Sequence, residues 1–344
     1  MSNTAWETLS NQAVATAGIV YFLALVVYLA EWAALRQPAA DRELVGAGAG
    51  DAEPAGQAPE PATGAATPRG ERVAFLGRLG LLLTVLGCAA HLVGLVGRGM
   101  AADPNRVPWG NMYEFTLTGT FVVALLYLVL YRRFGLGWMG PLVVGFVVAT
   151  LMIAVIWLYG AVAPLTEALN SPWLVIHVIS AIIATGAFTL GGIASIMYLV
   201  RMRAERRAEA AGRELSPWLA RVPRLDALDR LAYRVHAFAF PVWTFAVLIT
   251  GPIWAHEAWS RYWNWDPKEV WAFITWVVYA GYLHARATAG WKGRKAALLA
   301  LVGLATLWFN FIGINYFSTT SQHSYAAERP EILRPAQVSG LSGG

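Results

Sequence analysis

The sequence predicts an all-α polytopic integral membrane protein of about eight transmembrane helices. Three observations predict it: 57% hydrophobic against 14% charged residues, a mean hydropathy of +0.48, and eight apolar stretches near the length that crosses a bilayer. A soluble domain carries about a quarter charged residues, so the surplus apolar surface must face lipid. The composition also excludes a collagen-like, disordered or disulfide-rich secreted chain. The single cysteine, Cys88, lies in an apolar run and offers no internal disulfide, no CxxC pair and no thiolate metal cluster.

A spanning helix needs about 20 mostly apolar residues. Residues 1–36 hold the first such stretch, Ala13–Ala30, with no preceding basic residue and no small-residue cleavage site, so it reads as a transmembrane helix and not a signal peptide. Residues 37–71 turn to Ala, Gly, Pro and acidic residues without periodicity and read as a flexible cytoplasmic linker. A seven-helix core, 72–317, then supplies Leu79–Gly97, Phe115–Tyr131, Leu136–Ala163, Trp173–Val200, Val235–Ala255, Val270–Ala285 and Ala296–Phe317. Val270–Ala285 is short and needs its flanking Trp and Lys residues to reach the interface. Residues 318–344 read as an outward C-terminal tail.

Eight spans put both termini on one side. With the termini outside, 20 of the 26 basic residues fall inside, among them Arg132, Arg133 and nine arginines between Arg201 and Arg234. That bias orients polytopic proteins. The net charge of +5 is therefore a topology signal and calls for no nucleic-acid partner.

The outward face collects the unusual residues. One segment carries Trp109, Asn111, Tyr113 and Glu114 into the third span. Another, about 252–276, holds Trp254, Trp259, Trp263, Trp265, Trp271 and Trp276, six tryptophans in 23 residues, with Asp266, Lys268 and Glu269 among them. An aromatic belt sets such residues singly at the headgroups. This array predicts a broad, flat apolar shelf suited to a large planar ligand. Asp266-Pro267 opens the seventh span as a cap followed by proline.

The histidines are His91, His177, His236, His256, His284 and His323. His177 and His323 lie at outer helix ends on either side of the tryptophan segment. Two imidazoles approaching a plane from opposite faces make an axial cradle for haem iron. His91 and His284 lie within apolar runs, where ionisable residues are functional candidates by default. Taken singly, each residue has a plain structural explanation: an interfacial contact, a cap, a snorkelling anchor. The functional case rests on their convergence. Gaps of 86, 59, 20, 28 and 39 residues between the histidines include none of the 13–14-residue pairs of a cytochrome b-type electron carrier.

The stretch from Trp254 through Trp263, Trp265, Asp266 and Trp271 to Trp276 resembles the WWD signature of haem-handling proteins in cytochrome c biogenesis. With PWGNMYEF (108–115), YLHAR (282–286) and the late His323, it most resembles the CcsA/ResC (CcsB) branch, the membrane half of the System II cytochrome c synthase, over roughly 72–325. The resemblance implies haem transport to the outer face and haem b held there by His177 and His323. It implies an internal haem site at His91 and His284. It also implies thioether attachment of haem to the CxxCH motif of apocytochrome c, together with a ResB/Ccs1-type membrane protein as partner. The implied site is then His177, His323, His91, His284, Trp254, Trp259, Trp263, Trp265, Asp266 and Trp271, with the catalytic residues unknown. A bacterial plasma-membrane location follows, in keeping with 23 Arg against 3 Lys. Two other readings stay open: a haem exporter serving a separate chaperone, and a non-haem transporter with an aromatic gate.

Overall fold

The computed structural model describes residues 1–35, 68–162, 171–318 and 321. His323 and most of the expected linker and tail lie outside the described residues. The described chain is helical: α1 (Asn3–Ala34), α2 (Pro68–Met100), α3 (Met112–Phe134), a 3-10 turn (Leu136–Met139), α4 (Gly140–Trp157), α5 (Pro172–Ala210) and a single turn α6 (Pro217–Ala220). Then come α7 (Leu225–Thr244), α8 (Gly251–Trp259), α9 (Pro267–Ala287), α10 (Arg294–Trp308) and α11 (Ile314–Phe317), with π-helical segments at Phe245–Thr250 and Phe309–Gly313. All eight expected stretches are helical. Seven are long and apolar enough to cross a membrane. The eighth, α9, has 21 residues but is not among those seven. Two boundaries move: α2 begins at Pro68, inside the expected linker, and α4 ends at Trp157, short of Ala163.

The helices pack as two connected groups. In the first, α1 lies along α2 and α4, and α3 along α4. In the second, α5 packs on α7 and α10, and α9 on α10; contact between α3 and α5 joins the groups. The α1–α2 pair has a seven-residue rhythm. A Cβ at Gly80 would lie 2.7 Å from the Tyr28 ring, at Gly87 2.9 Å from Tyr21, and at Gly94 2.7 Å from Val14. The helices are thus antiparallel, and each large side chain of α1 occupies a notch cut by a glycine of α2. Between helices in lipid, close backbone approach is the main source of association. Polar residues close both ends of this seam. Ser10 donates its hydroxyl to the Gly94 carbonyl at 2.7 Å, and Glu31 lies against Gly77 and pairs with Arg221 at 2.5 Å.

Candidate haem-handling site

The site begins with a buried ionic clamp that fixes the start of α3. Asn111 caps the helix by accepting from the Glu114 amide at 2.9 Å. Glu114 itself is wholly buried. It accepts from Arg98 Nε of α2 at 3.0 Å, from Arg106 Nη1 at 2.7 Å and from the Gly110 amide at 2.7 Å. Arg98 also donates to the Gly160 carbonyl and lies over the rings of Tyr113 and Tyr159. A buried charge is tolerated only when paired and hydrogen-bonded, and Glu114 meets both conditions. The sequence carried Glu114 into the third span and did not single out its partner Arg98.

Beside this clamp, a cavity opens between α3, α4, α5, α7–α8, α9 with the loop before it, and α10. Its volume is about 210 Å³, and it is open at its mouth. That volume is below the roughly 300–1,000 Å³ of most small-molecule sites, so a large ligand would fill the well and project through its mouth. Along α3 the lining runs from Met112 to Val123, about 16 Å of helix at the standard rise. The walls are apolar and aromatic, including Phe115, Trp243, Trp254, Trp263 and Trp308, with His177, Lys268 and Glu269 as the ionisable members. A Cβ at Gly119 would meet nothing within 4 Å, which keeps the middle of the well open.

His177 is held in one orientation. Its Nδ1 lies 2.9 Å from the Ala246 carbonyl, and since a carbonyl can only accept, Nδ1 carries the proton and Nε2 becomes the basic nitrogen. Trp254 stacks on the ring, with centroids 5.8 Å apart and planes 16° apart. The Ala246 carbonyl is presented by the first π-segment. Pro252 has no N–H to give the Leu248 carbonyl, and the Gly251 amide bonds back five residues to Ala246. A Cβ at Gly251 would stand 3.2 Å from the His177 ring, so the glycine makes room for the imidazole. The second π-segment puts Asn310 and Phe311 into the same cavity. Single-turn π-bulges recur at functional sites.

The tryptophans do not form the flat shelf the sequence predicted. Trp254 and Trp259 meet at 63°, and Trp263 and Trp265 at 84°. Trp254 is buried and joins Trp109, Leu174 and Val178 in a second apolar cluster. Trp263 lines the cavity. Trp271 packs on Phe309, with centroids 4.2 Å apart. Trp265 is 69% exposed and, at φ +57°, adopts the left-handed conformation that bulky residues avoid. That turn lets the amides of Asn264 and Asp266 converge on one Glu269 oxygen, at 2.9 and 3.1 Å. Asp266 caps α9 through the Lys268 amide at 2.9 Å, as the Asp-Pro pair predicted. It also accepts from the Ser321 hydroxyl at 2.8 Å. Lys268 Nζ donates to Asn315 at 3.1 Å.

Of the remaining histidines, His91 is fully buried, edge-on to Tyr21 and Phe121. His284 is exposed in the last turn of α9. Their helices, α2 and α9, belong to different packing groups. His236, to which the sequence assigned no role, is also fully buried, packed by Phe188, Tyr279 and Tyr282, with Nδ1 2.6 Å from the Ala232 carbonyl. His256 is exposed and stacks on Tyr262.

Residues 109–321, which enclose this cavity, match the family described as Cytochrome C assembly protein. The chain belongs to that family. Its relatives in the family include the cytochrome c biogenesis protein CcsA of Guillardia theta, 33% identical over 255 residues, covering 70% of this chain and 83% of the relative. CcsA of Synechococcus elongatus is 32% identical over 303 residues, covering 76% and 91%. Among solved structures, a cytochrome c haem lyase, CcmF, has the same fold at a TM-score of 0.59 and 14% identity. That match covers 90% of this chain and 47% of the lyase.

Proposed function

We propose that this protein delivers haem to the outer membrane face and holds it for thioether attachment to the CxxCH cysteines of an apocytochrome c. It would do so as the membrane subunit of a synthase, with a ResB/Ccs1-type partner. Haem is here a substrate. The observation that carries the reading is the cavity: deep, apolar, walled by Trp254 and Trp263, with His177 oriented through Nδ1. A histidine that donates its second ring N–H to a backbone carbonyl is poised as an iron ligand through Nε2. The donor set thus fits haem.

His323 is the proposed second ligand of the outer haem. Ser321, two positions earlier in the sequence, is tied to Asp266, which supports bringing that segment to the cavity. His91 and His284 are proposed for an internal haem. The chain's one cysteine, Cys88, is buried in α2, so the thiols belong to the substrate. Each thiol adds across a haem vinyl group, forming a C–S bond with no net oxidation. The protein's part is positional: His177 fixes the iron, the apolar walls exclude water, and the open mouth leaves a haem edge accessible.

The test is the absorption spectrum of the detergent-purified protein, co-expressed with its partner, beside a His177→Ala, His323→Ala variant. A Soret band lost or shifted in the variant supports the outer site. Unchanged wild-type-like haem in the variant assigns the pigment to His91 and His284 instead. A wild type without haem overturns the proposal.

A further inference from the structure

A second, smaller cavity lies away from the haem-handling well, where the end of α1 meets the beginning of α2, the end of α3 and the segment after α6. It has a volume of about 150 Å³. Its walls are polar: Tyr28, Glu31, Arg78, Tyr131 and Arg221, with Gly77 and Gly137 leaving space. Glu31 and Arg221 form an ion pair and cancel. Arg78 has no ion-pair partner among the described residues, so the cavity carries one surplus positive charge. Tyr28, 1% exposed, lines it, with the hydroxyls of Thr84 and Tyr127 beside its own. Hydroxyl and guanidinium donors side by side suit an anion that supplies the acceptors.

The surroundings indicate what carries the anion. Arg78 stands on an exposed apolar stripe of α2, three residues after Phe75 and four before Leu82, which are 57% and 54% exposed. A helix face with that spacing sets a guanidinium between two lipid-facing side chains. The same end of the bundle holds Arg132, Arg133 and the arginine-rich 201–234 segment. Basic pockets between membrane helices recognise anionic headgroups, and a guanidinium with a hydroxyl donor suits a phosphate oxygen set.

We propose that this cavity is a phosphate-binding site for the headgroup of an anionic phospholipid. Arg78 supplies the surplus charge, Tyr28 offers its hydroxyl, and the acyl chains lie along Phe75 and Leu82. The site is independent of haem and of the reading above.

The test uses the full chain in detergent and follows its thermal unfolding midpoint during titration with phosphatidylglycerol, phosphatidylcholine or inorganic phosphate. Wild type, Arg78→Gln and Tyr28→Phe are compared. Arg221 is left alone, because removing it would strand Glu31. Phosphatidylglycerol should raise the wild-type midpoint and phosphatidylcholine should not, while both variants should need at least tenfold more phosphatidylglycerol for half the shift. Without lipid, Tyr28→Phe should melt close to the wild-type temperature, since it keeps the ring that fills the Gly80 notch. That separates lost binding from lost folding. A variant-sensitive shift with inorganic phosphate as well would keep the oxyanion site but assign it to free phosphate, overturning the lipid source. Equal response of all three proteins to phosphatidylglycerol, or an equal effect of phosphatidylcholine, would overturn the proposal.

Discussion

The α1–α2 seam and the large cavity, the well, use the same residue for opposite ends. In the seam, Gly80, Gly87 and Gly94 are notches already filled by Tyr28, Tyr21 and Val14, and contact is so close that no methyl group fits. In the well, Gly119 borders open space and its missing side chain preserves a void. The first arrangement converts small side chains into packing contact. The second withholds contact so that a ligand can supply it. In a sequence the two kinds of glycine look alike, and only the partner helix separates them.

Substitution in the seam should produce the largest effect. Gly87→Val would force a branched side chain into the Tyr21 ring, and overpacking of this kind costs about 1–3 kcal/mol or more. The yield of monodisperse protein and the thermal midpoint should both fall. A normal midpoint would show that the seam is looser than its distances imply. Gly119→Leu should do the reverse. It fills empty space and removes a helix-interior glycine worth up to about 1 kcal/mol, so the midpoint should hold or rise while co-purified haem falls at least tenfold. Retained haem would place the cargo elsewhere. The smallest effect is expected at Trp265, where Trp265→Asn relieves a left-handed conformation that costs a bulky residue roughly 1–2 kcal/mol. The midpoint should rise slightly with the haem spectrum unchanged, because the ring lies outside the cavity wall. Loss of haem would bring Trp265 into contact with the cargo.

Local patterns carried most of what the sequence revealed. Apolar runs marked all eight helices, and Asp266-Pro267 announced a cap because capping is settled within four residues. His177 stood out as a polar residue near the start of a span. What escaped depends on residues far apart in the chain or on backbone departures with no composition signal. Arg98 and Glu114 are 16 positions apart on different helices, so their pairing required the fold. The tilt between Trp263 and Trp265 follows from a left-handed turn built around Glu269, which no tryptophan count encodes. The π-segment at Phe245–Thr250 is hinted at only by Pro252, and a proline alone more often signals a kink or a start.

The seven-residue spacing of the seam creates an ambiguity that its ends resolve. Sliding α1 along α2 by one repeat, about 10 Å at the helical rise, would still set tyrosines opposite glycines, so the apolar contacts alone tolerate more than one register. The buried polar residues do not tolerate it. Ser10 would leave the Gly94 carbonyl, and Glu31 would be carried away from Arg221 with its charge uncompensated. A few polar side chains in an otherwise apolar interface can thus act as an index mark, giving up some stability to select a single alignment.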